Sequence, residues 1–364
     1  MIARISRQKV QSPLVRALSS IYRGTTNGLE NPCLYSIEYS TRSLPRSIGM
    51  PMLKHITAPR LSTLQRFFMT TSQRDALGCY AWNQAIGAGM LPILGDFEVA
   101  LRNALHRALS QYFGAVDSFG WMMPRPNPAH AINPAAPALL PPIHKLTPKS
   151  RDDVVSAMEK VKAKKPMAYM VSPDDVVAAL PFGFWEVLIG GLAHHSQPRG
   201  LQSAILASVF PHAPDIAAIP YGSQVFKKRV VDLLKRIRDV RNRIGHHDAL
   251  WSTPEFNHFG VLGHIPRRPR HTINSLRRFV DNISWFGGWI DPAITTYLHN
   301  SDHWWSLQVL LDRRALAIYR HSGGVAGTYR SILDAAELPV TRLTLRRKPW
   351  SRQPERACRD RYFY

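Results

Sequence analysis

The chain is predicted to be all-α, a helical bundle carrying extra helices and flexible termini. Three observations predict it. Apolar residues recur at three- and four-residue steps through several long segments. No alternating apolar-polar pattern lasts more than a few residues, which excludes an extended sheet. Hydrophobic residues make up 45% of 364, enough to fill a sizeable core and to exclude a wholly disordered chain.

Taken in order, the elements begin after residue 57. Leu61–Thr71 reads as a short mixed helix. Ser72–Ala88 opens on a capping Ser and repeats Ala76, Leu77, Tyr80, Ala81 and Ile86 at helical spacing. Gly95-Asp96 starts a stronger helix through Phe113, with Phe97, Leu101, Ala104, Ala108 and Tyr112 on one side and Glu98–Arg102 as an i,i+4 pair. Residues 122–149 contain eight Pro and read as a long surface loop. Arg151–Ala163 is a charged helix. Ser172-Pro173-Asp174-Asp175 has the cap, the Pro at the first position and the acidic first turn of a helix start. The apolar segment that follows, to His194, is kinked or split at Pro181 and Gly183. Leu201–Phe210 is short. Gln224–His247 is long and amphipathic, with Val225, Val230, Leu233, Leu234, Ile237 and Val240 on one side and eight Lys/Arg between Lys227 and Arg243. Thr253-Pro254 reads as a helix restart. Ile273–Trp289, broken near Gly287-Gly288, Pro292–Leu298, Asp302–His321 and Gly327–Ala336 complete the ordered part. The organisation expected is a basic, disordered segment over 1–57, a helical domain over 58–300, additional helices over 301–340 and a disordered basic tail over 341–364.

Lys and Arg number 47 against 25 acids, a formal net charge of +22. That excess points to a polyanion, either nucleic acid or an anionic membrane surface. Its distribution is uneven. Residues 1–60 and 312–364 each hold a net +7, and the 251 residues between them hold +8. Residues 1–50, rich in Ser, Arg and Thr and poor in acids, read as a targeting segment, as a floppy tail, or as the result of a start assigned too far upstream of Met52 or Met69. Cys33, Cys79 and Cys358 lie far apart with no CxxC pair, which excludes a thiolate zinc site and a disulfide framework and fits a reducing, cytoplasmic setting. No apolar run reaches the roughly 18 residues of a membrane span.

The densest polar cluster is Arg241–Asp248, R-N-R-I-G-H-H-D. An imidazole exchanges protons near neutral pH, and a guanidinium grips phosphate oxygens in two-pronged fashion. Arg241 with His246 therefore suits metal-independent cleavage of RNA by 2′-OH attack, giving a 2′,3′-cyclic phosphate and a 5′-OH. On an ideal helix, however, residues five apart lie about 140° apart, whereas Asn242 and His246, or Arg243 and His247, share a face. A distorted turn near Gly245, or a group from a second subunit, relieves the mismatch. The alternative is a helix C-terminus enriched in Arg and His to suit the dipole. Metal binding by His246, His247 and Asp248 lacks a third ligand at standard spacing, and no cofactor is expected.

Three blocks in order carry a family resemblance: "YAWN" with "FEVALRNALHRAL" in Tyr80–Leu109, "VAALPFGFWEVL" in Val177–Leu188, and "LKRIRDVRNRIGHHDALW" in Leu234–Trp251. Together they resemble the Abi-like (abortive infection) proteins of the HEPN superfamily. A later segment, "ISWFGGWIDPAI", is similar to the family's C-terminal "I.WIDP" with an extra Gly-Gly. The resemblance implies a HEPN-like bundle over roughly 60–300 and, for many members, an endoribonuclease that pairs motifs from two chains. It implies Arg241 as the phosphate group and His246 as the acid/base, with Asn242 as the polar residue after the Arg and His247 as a second candidate; Glu186, an acid on an apolar segment, is expected to support the site. Arg238, Arg243, Arg102 and Asn103 are the expected RNA contacts. The implied partners are RNA (tRNA or mRNA), a second copy in a homodimer with a composite site, and an antitoxin or phage-derived trigger. The other reading is a non-catalytic RNA-binding or sensor module of a defence or toxin–antitoxin system. Phe182, Phe184 and Trp185 read as core, and Glu186 as an acid that needs an Arg partner.

Overall fold

The computed structural model describes residues 54–123, 146–194 and 197–337. The predicted terminal tails and most of the Pro-rich run fall outside them. Among the described residues the chain is helical, with one antiparallel bridge, Phe256 to Leu262, as its extended pairing. The helices are α1 (Ala58–Phe68), α2 (Gln73–Phe113), α3 (Pro148–Lys164), α4 (Pro173–Ala179), α5 (Phe182–Gly191), α6 (Leu201–Val209), α7 (Gln224–Gly245), α8 (Pro269–Ile290), α9 (Pro292–His299), α10 (Asp302–Leu310), α11 (Arg313–Ser322) and α12 (Thr328–Glu337). Among the described residues, no helix is long and apolar enough to cross a membrane.

The main departure from expectation is α2. The two predicted helices are one, 41 residues long, running through Pro92 and Gly95. At 1.5 Å per residue it spans about 60 Å. Pro92 forfeits one helical hydrogen bond, yet Met90, Ile93, Leu94 and Phe97 are buried on both sides of it and hold the axis together. Ser72 caps the start by accepting from the Asp75 amide.

Other helices pack along α2. An added Cβ at Gly78 would collide with the Tyr319 carbonyl, so only glycine permits this crossing of α2 and α11. Beside it, Asp75 accepts from Arg320 Nε at 2.6 Å and Nη2 at 2.7 Å. These hydrogen bonds hold the Asp75 carboxyl below its ordinary range. Next to that pair, burial pushes the Cys79 thiol up to about 12, so it stays protonated. Trp82 Nε1 donates to the Leu310 carbonyl at 3.0 Å. The helices beyond residue 300 are thus seated directly on α2.

Four further corrections have local causes. Asp302–His321 is two helices, because Asp312 caps a new one by accepting from the Arg314 amide. Gly287 and Gly288 do not interrupt α8. Added Cβ atoms there would lie 3.1 Å from Ile294 and 2.7 Å from Thr295, so the glycines let α9 pack closely. Thr253-Pro254 starts no helix, and residues 254–265 fold back as a hairpin-like loop instead. On α7, Val225 is exposed and Phe226 takes the core position, while Arg229 leaves the basic face for the interior. The split at Pro181 is as expected, with a capping box between Ser172 and Asp175 opening α4.

The core is aromatic. Phe97, Phe286 and Phe210 join α2, α8 and α6, with centroids 5.4 and 5.3 Å apart. Phe182, Phe184 and Trp185 are all buried, as predicted. Trp121 packs on the last two and donates from Nε1 to His106 Nδ1 at 2.9 Å.

Burial holds the His106 imidazole below its ordinary value of 6.5. The unfolded chain binds that proton more tightly, so stability falls as pH drops below 6.5. The thermal midpoint should therefore decline from about pH 7 towards pH 5, and the slope should be shallower in His106→Phe. Differential scanning calorimetry across that range checks it.

Candidate active site

The polar cluster lies at the C-terminal end of α7. Its basic helix starts at the Ser223 cap and buries Phe226, Val230, Leu233, Leu234, Ile237, Val240 and Ile244. That stripe fixes the rotation of the helix about its axis and therefore the direction of every motif side chain.

The helix ends in a specific turn. The Asp248 amide bonds back to the Arg243 carbonyl at 2.7 Å, and the His247 amide to Ile244 at 3.0 Å. These are the two hydrogen bonds of a Schellman motif, whose left-handed position is normally Gly or Asn. Here His247 occupies it, with φ 52°. The strain is about 1 kcal/mol. Gly245, the residue expected at the break, is the last residue of the helix, two positions before the left-handed one.

Neighbouring helices hold this turn. Asn83 of α2 is buried, donates from Nδ2 to the Asp248 carbonyl at 3.1 Å and accepts the Leu250 amide at 3.0 Å. The Gln84 side-chain amide and His247 Nδ1 are hydrogen-bonded at 2.6 Å. Asp248 pairs with Arg60 of α1 at 2.5 Å. Thr272 of α8 donates to the Trp251 carbonyl at 2.7 Å. His246, Asn242 and His247 are exposed on this frame.

The arginines are engaged rather than free. Arg241 Nε lies 3.4 Å from Glu98 of α2. Glu98 was expected to pair with Arg102; it turns to Arg241, and Arg102 Nε is buried without a hydrogen-bond partner. Asn103, the next residue on α2, is exposed. Arg238 Nη1 lies 2.7 Å from Glu186 of α5, the arginine partner that Glu186 required. That contact is ionic, off the line of a well-formed hydrogen bond. Burial raises the Glu186 carboxyl, and Arg238 opposes the rise. Arg243 donates to the Ala249 carbonyl at 3.1 Å and so braces its own turn. The structure gathers Arg241, Asn242, His246 and His247 at one helix end, with Glu186 and Arg238 further back along α7. The helix stays regular between Arg241 and Gly245, so Arg241 and His246 do not share a face.

Asn83, Gln84 and Arg60 escaped sequence reasoning. Asn83 sits inside the "YAWN" block but carried no role there, since its partners are 165 and 167 residues away. A shallow cleft of about 500 Å³ at the start of α2 is lined by Ser72, Arg74, Asp75, Arg320 and His321. It is roughly 15 Å along α2 from Asn83, and its Asp75 and Arg320 satisfy each other.

A family model described as Abi-like protein matches residues 50–252, more than half of the chain. This protein belongs to the Abi-like family. The match takes in α1, α2, α7 and the whole clamped turn, and it ends before the "ISWFGGWIDPAI" segment of α8 and α9. No curated protein and no solved structure is similar enough to the chain to count as a match.

The left-handed turn makes a direct prediction. His247→Ala and His247→Gly both lose the Gln84 bond, but only the Gly variant relieves the backbone strain. Urea unfolding should find His247→Gly more stable than His247→Ala by about 1 kcal/mol.

Proposed function

We propose that this Abi-like protein is a HEPN-type, metal-independent endoribonuclease acting in abortive infection. One observation carries the reading: an exposed pair of imidazoles, His246 and His247, is displayed on a strained turn that three other helices hold in place. Backbone strain that surrounding contacts maintain is a mark of functional sites. Arg241 precedes His246 by about 7.5 Å of helix rise and lies on a different face, so a second chain is needed to bring both groups to one phosphate.

In this reading Arg241 binds the non-bridging phosphate oxygens and Asn242 adds a neutral donor beside it. His246 moves the proton of the attacking 2′-OH or of the departing 5′-oxygen. His247, its ring held by Gln84, is the second imidazole available for the opposite transfer. The ribose oxygen forms the new bond to phosphorus as the bond to the 5′-oxygen breaks, giving a 2′,3′-cyclic phosphate and a 5′-OH. Glu98 holds Arg241 in position until a phosphate competes for it. Arg102 and Asn103, one to one and a half turns further along α2, extend the contact to flanking nucleotides. The different faces of Arg241 and His246 favour a homodimer in which Arg241 of one chain serves His246 of the other.

The test is cleavage of tRNA and total RNA in EDTA with end-group analysis. The parent should yield cyclic phosphate and 5′-OH ends, and His246→Ala and Arg241→Ala should each lose roughly a hundredfold or more in rate while remaining folded. Mixing the two inactive variants should restore cleavage if the site is composite. Undiminished cleavage by His246→Ala sinks the assignment. Salt-sensitive RNA binding without any product supports the non-catalytic sensor reading instead.

A further inference from the structure

The loop between α7 and α8 carries an apolar tip that the proposed chemistry does not use. Val261, Leu262 and Ile265 are each more than half or about half exposed, and every residue from Val261 to Ile265 faces solvent. Arg267, Arg268 and Arg270 follow at once, also exposed. From Phe256 to Val280 the chain contains no acidic residue. Arg277 and Arg278 have carboxylate partners in Asp312 and Glu255. Among the described residues none is found for Arg267, Arg268 or Arg270.

The tip is built, not loose. The Glu255 amide donates to the His264 carbonyl and the Gly263 amide to Glu255, both at 2.8 Å. Asn257 Oδ1 accepts the Phe259 and Val261 amides at 2.9 and 3.1 Å. Two α7 arginines hold the base: Arg229 Nε donates to the His258 carbonyl at 2.8 Å and Arg236 Nε to the Gly260 carbonyl at 3.0 Å. Gly260, with φ +75°, packs so close to the Asp232 backbone that an added Cβ would clash. Arg270 Nε donates to His271 Nε2 at 3.1 Å, which leaves its charge uncompensated. Aliphatic groups held outward in this way, beside a collar of guanidiniums that no carboxylate meets among the described residues, suit an occupant that is apolar in its interior and anionic at its surface.

We infer that this tip is a docking site for a bilayer surface bearing anionic phospholipid headgroups, with Val261, Leu262 and Ile265 entering the interface and Arg267, Arg268 and Arg270 binding the headgroup phosphates. Charge argues against a second copy as the occupant, because a two-fold contact would bring each set of three arginines against the other with no acid in the segment to separate them. RNA is disfavoured by the tip itself. Its three aliphatic side chains offer no face for base stacking, Phe259 is turned against the Arg229 guanidinium at 4.8 Å, and the His264 ring packs edge-on with His271, centroids 5.5 Å apart.

The experiment is flotation of the full chain with vesicles of mixed phosphatidylcholine and phosphatidylglycerol, against vesicles of phosphatidylcholine alone. Two variants are compared with the parent, Leu262→Asp/Ile265→Asp and Arg267→Gln/Arg268→Gln/Arg270→Gln; all five side chains are exposed, and circular dichroism checks the fold. The parent should float with the anionic vesicles only. Each variant should bind them at least tenfold more weakly, and the arginine variant on the order of a hundredfold. Binding of both variants equal to the parent's overturns the proposal and assigns the affinity to other basic segments. It is equally overturned if the arginine variant loses binding to single-stranded RNA while the aspartate variant floats as the parent does, which would make the face an RNA contact.

Discussion

A single buried amide connects the longest helix of this protein to its densest polar cluster. Asn83 donates to one residue of the turn after α7 and accepts from another, so the turn cannot move without breaking both hydrogen bonds. Each is made in a buried setting where a lost partner leaves a polar group unsatisfied, at about 1–3 kcal/mol. The left-handed backbone of His247, the Gln84 contact and the Arg60–Asp248 pair all depend on the turn being held at this height on α2. The strain at His247 is tolerated because these contacts outweigh it.

The same frame sets the electrostatics. Although the chain carries +22 overall, the arginines of the motif are met by carboxylates from other helices, Arg241 by Glu98 and Arg238 by Glu186. These pairs differ in kind. Arg241 is 43% exposed, so its pair with Glu98 is worth at most about 1 kcal/mol, weak enough for the proposed phosphate to displace it. Glu186 is far more buried, and breaking its contact with Arg238 would leave a charge in a poor dielectric. The first pair therefore suits ligand exchange and the second suits the positioning of α7 against α5. Site chemistry rests on this local arrangement and not on the global charge.

Much of the fold was legible in the sequence because helical periodicity and caps are local signals. The helix start at Ser172 and the division at Pro181 emerge as read, and so does the amphipathic run of α7 apart from Val225. Glycine misled more than once, for one physical reason. Gly95 predicts a helix start and Gly287-Gly288 an interruption, yet the helices run through both, and at Gly287-Gly288 the missing Cβ admits a neighbouring helix. The reverse happened at the end of α7, where a histidine adopts the conformation expected of glycine. Arg241, Asn242, His246 and His247 could be singled out because they are contiguous. Asn83, Gln84 and Arg60 could not, since their roles exist only once α1 and α2 pack beside a turn more than 160 residues away.

In the proposed reaction the Asn83 clamp is what makes the displayed imidazoles competent. Single-turnover cleavage of a defined single-stranded RNA by Asn83→Ala, at a temperature where circular dichroism shows the variant folded, tests it most directly. The predicted result is a rate at least tenfold below the parent's, with any residual product still ending in a 2′,3′-cyclic phosphate. A folded Asn83→Ala protein that cleaves at the parent's rate would contradict the account.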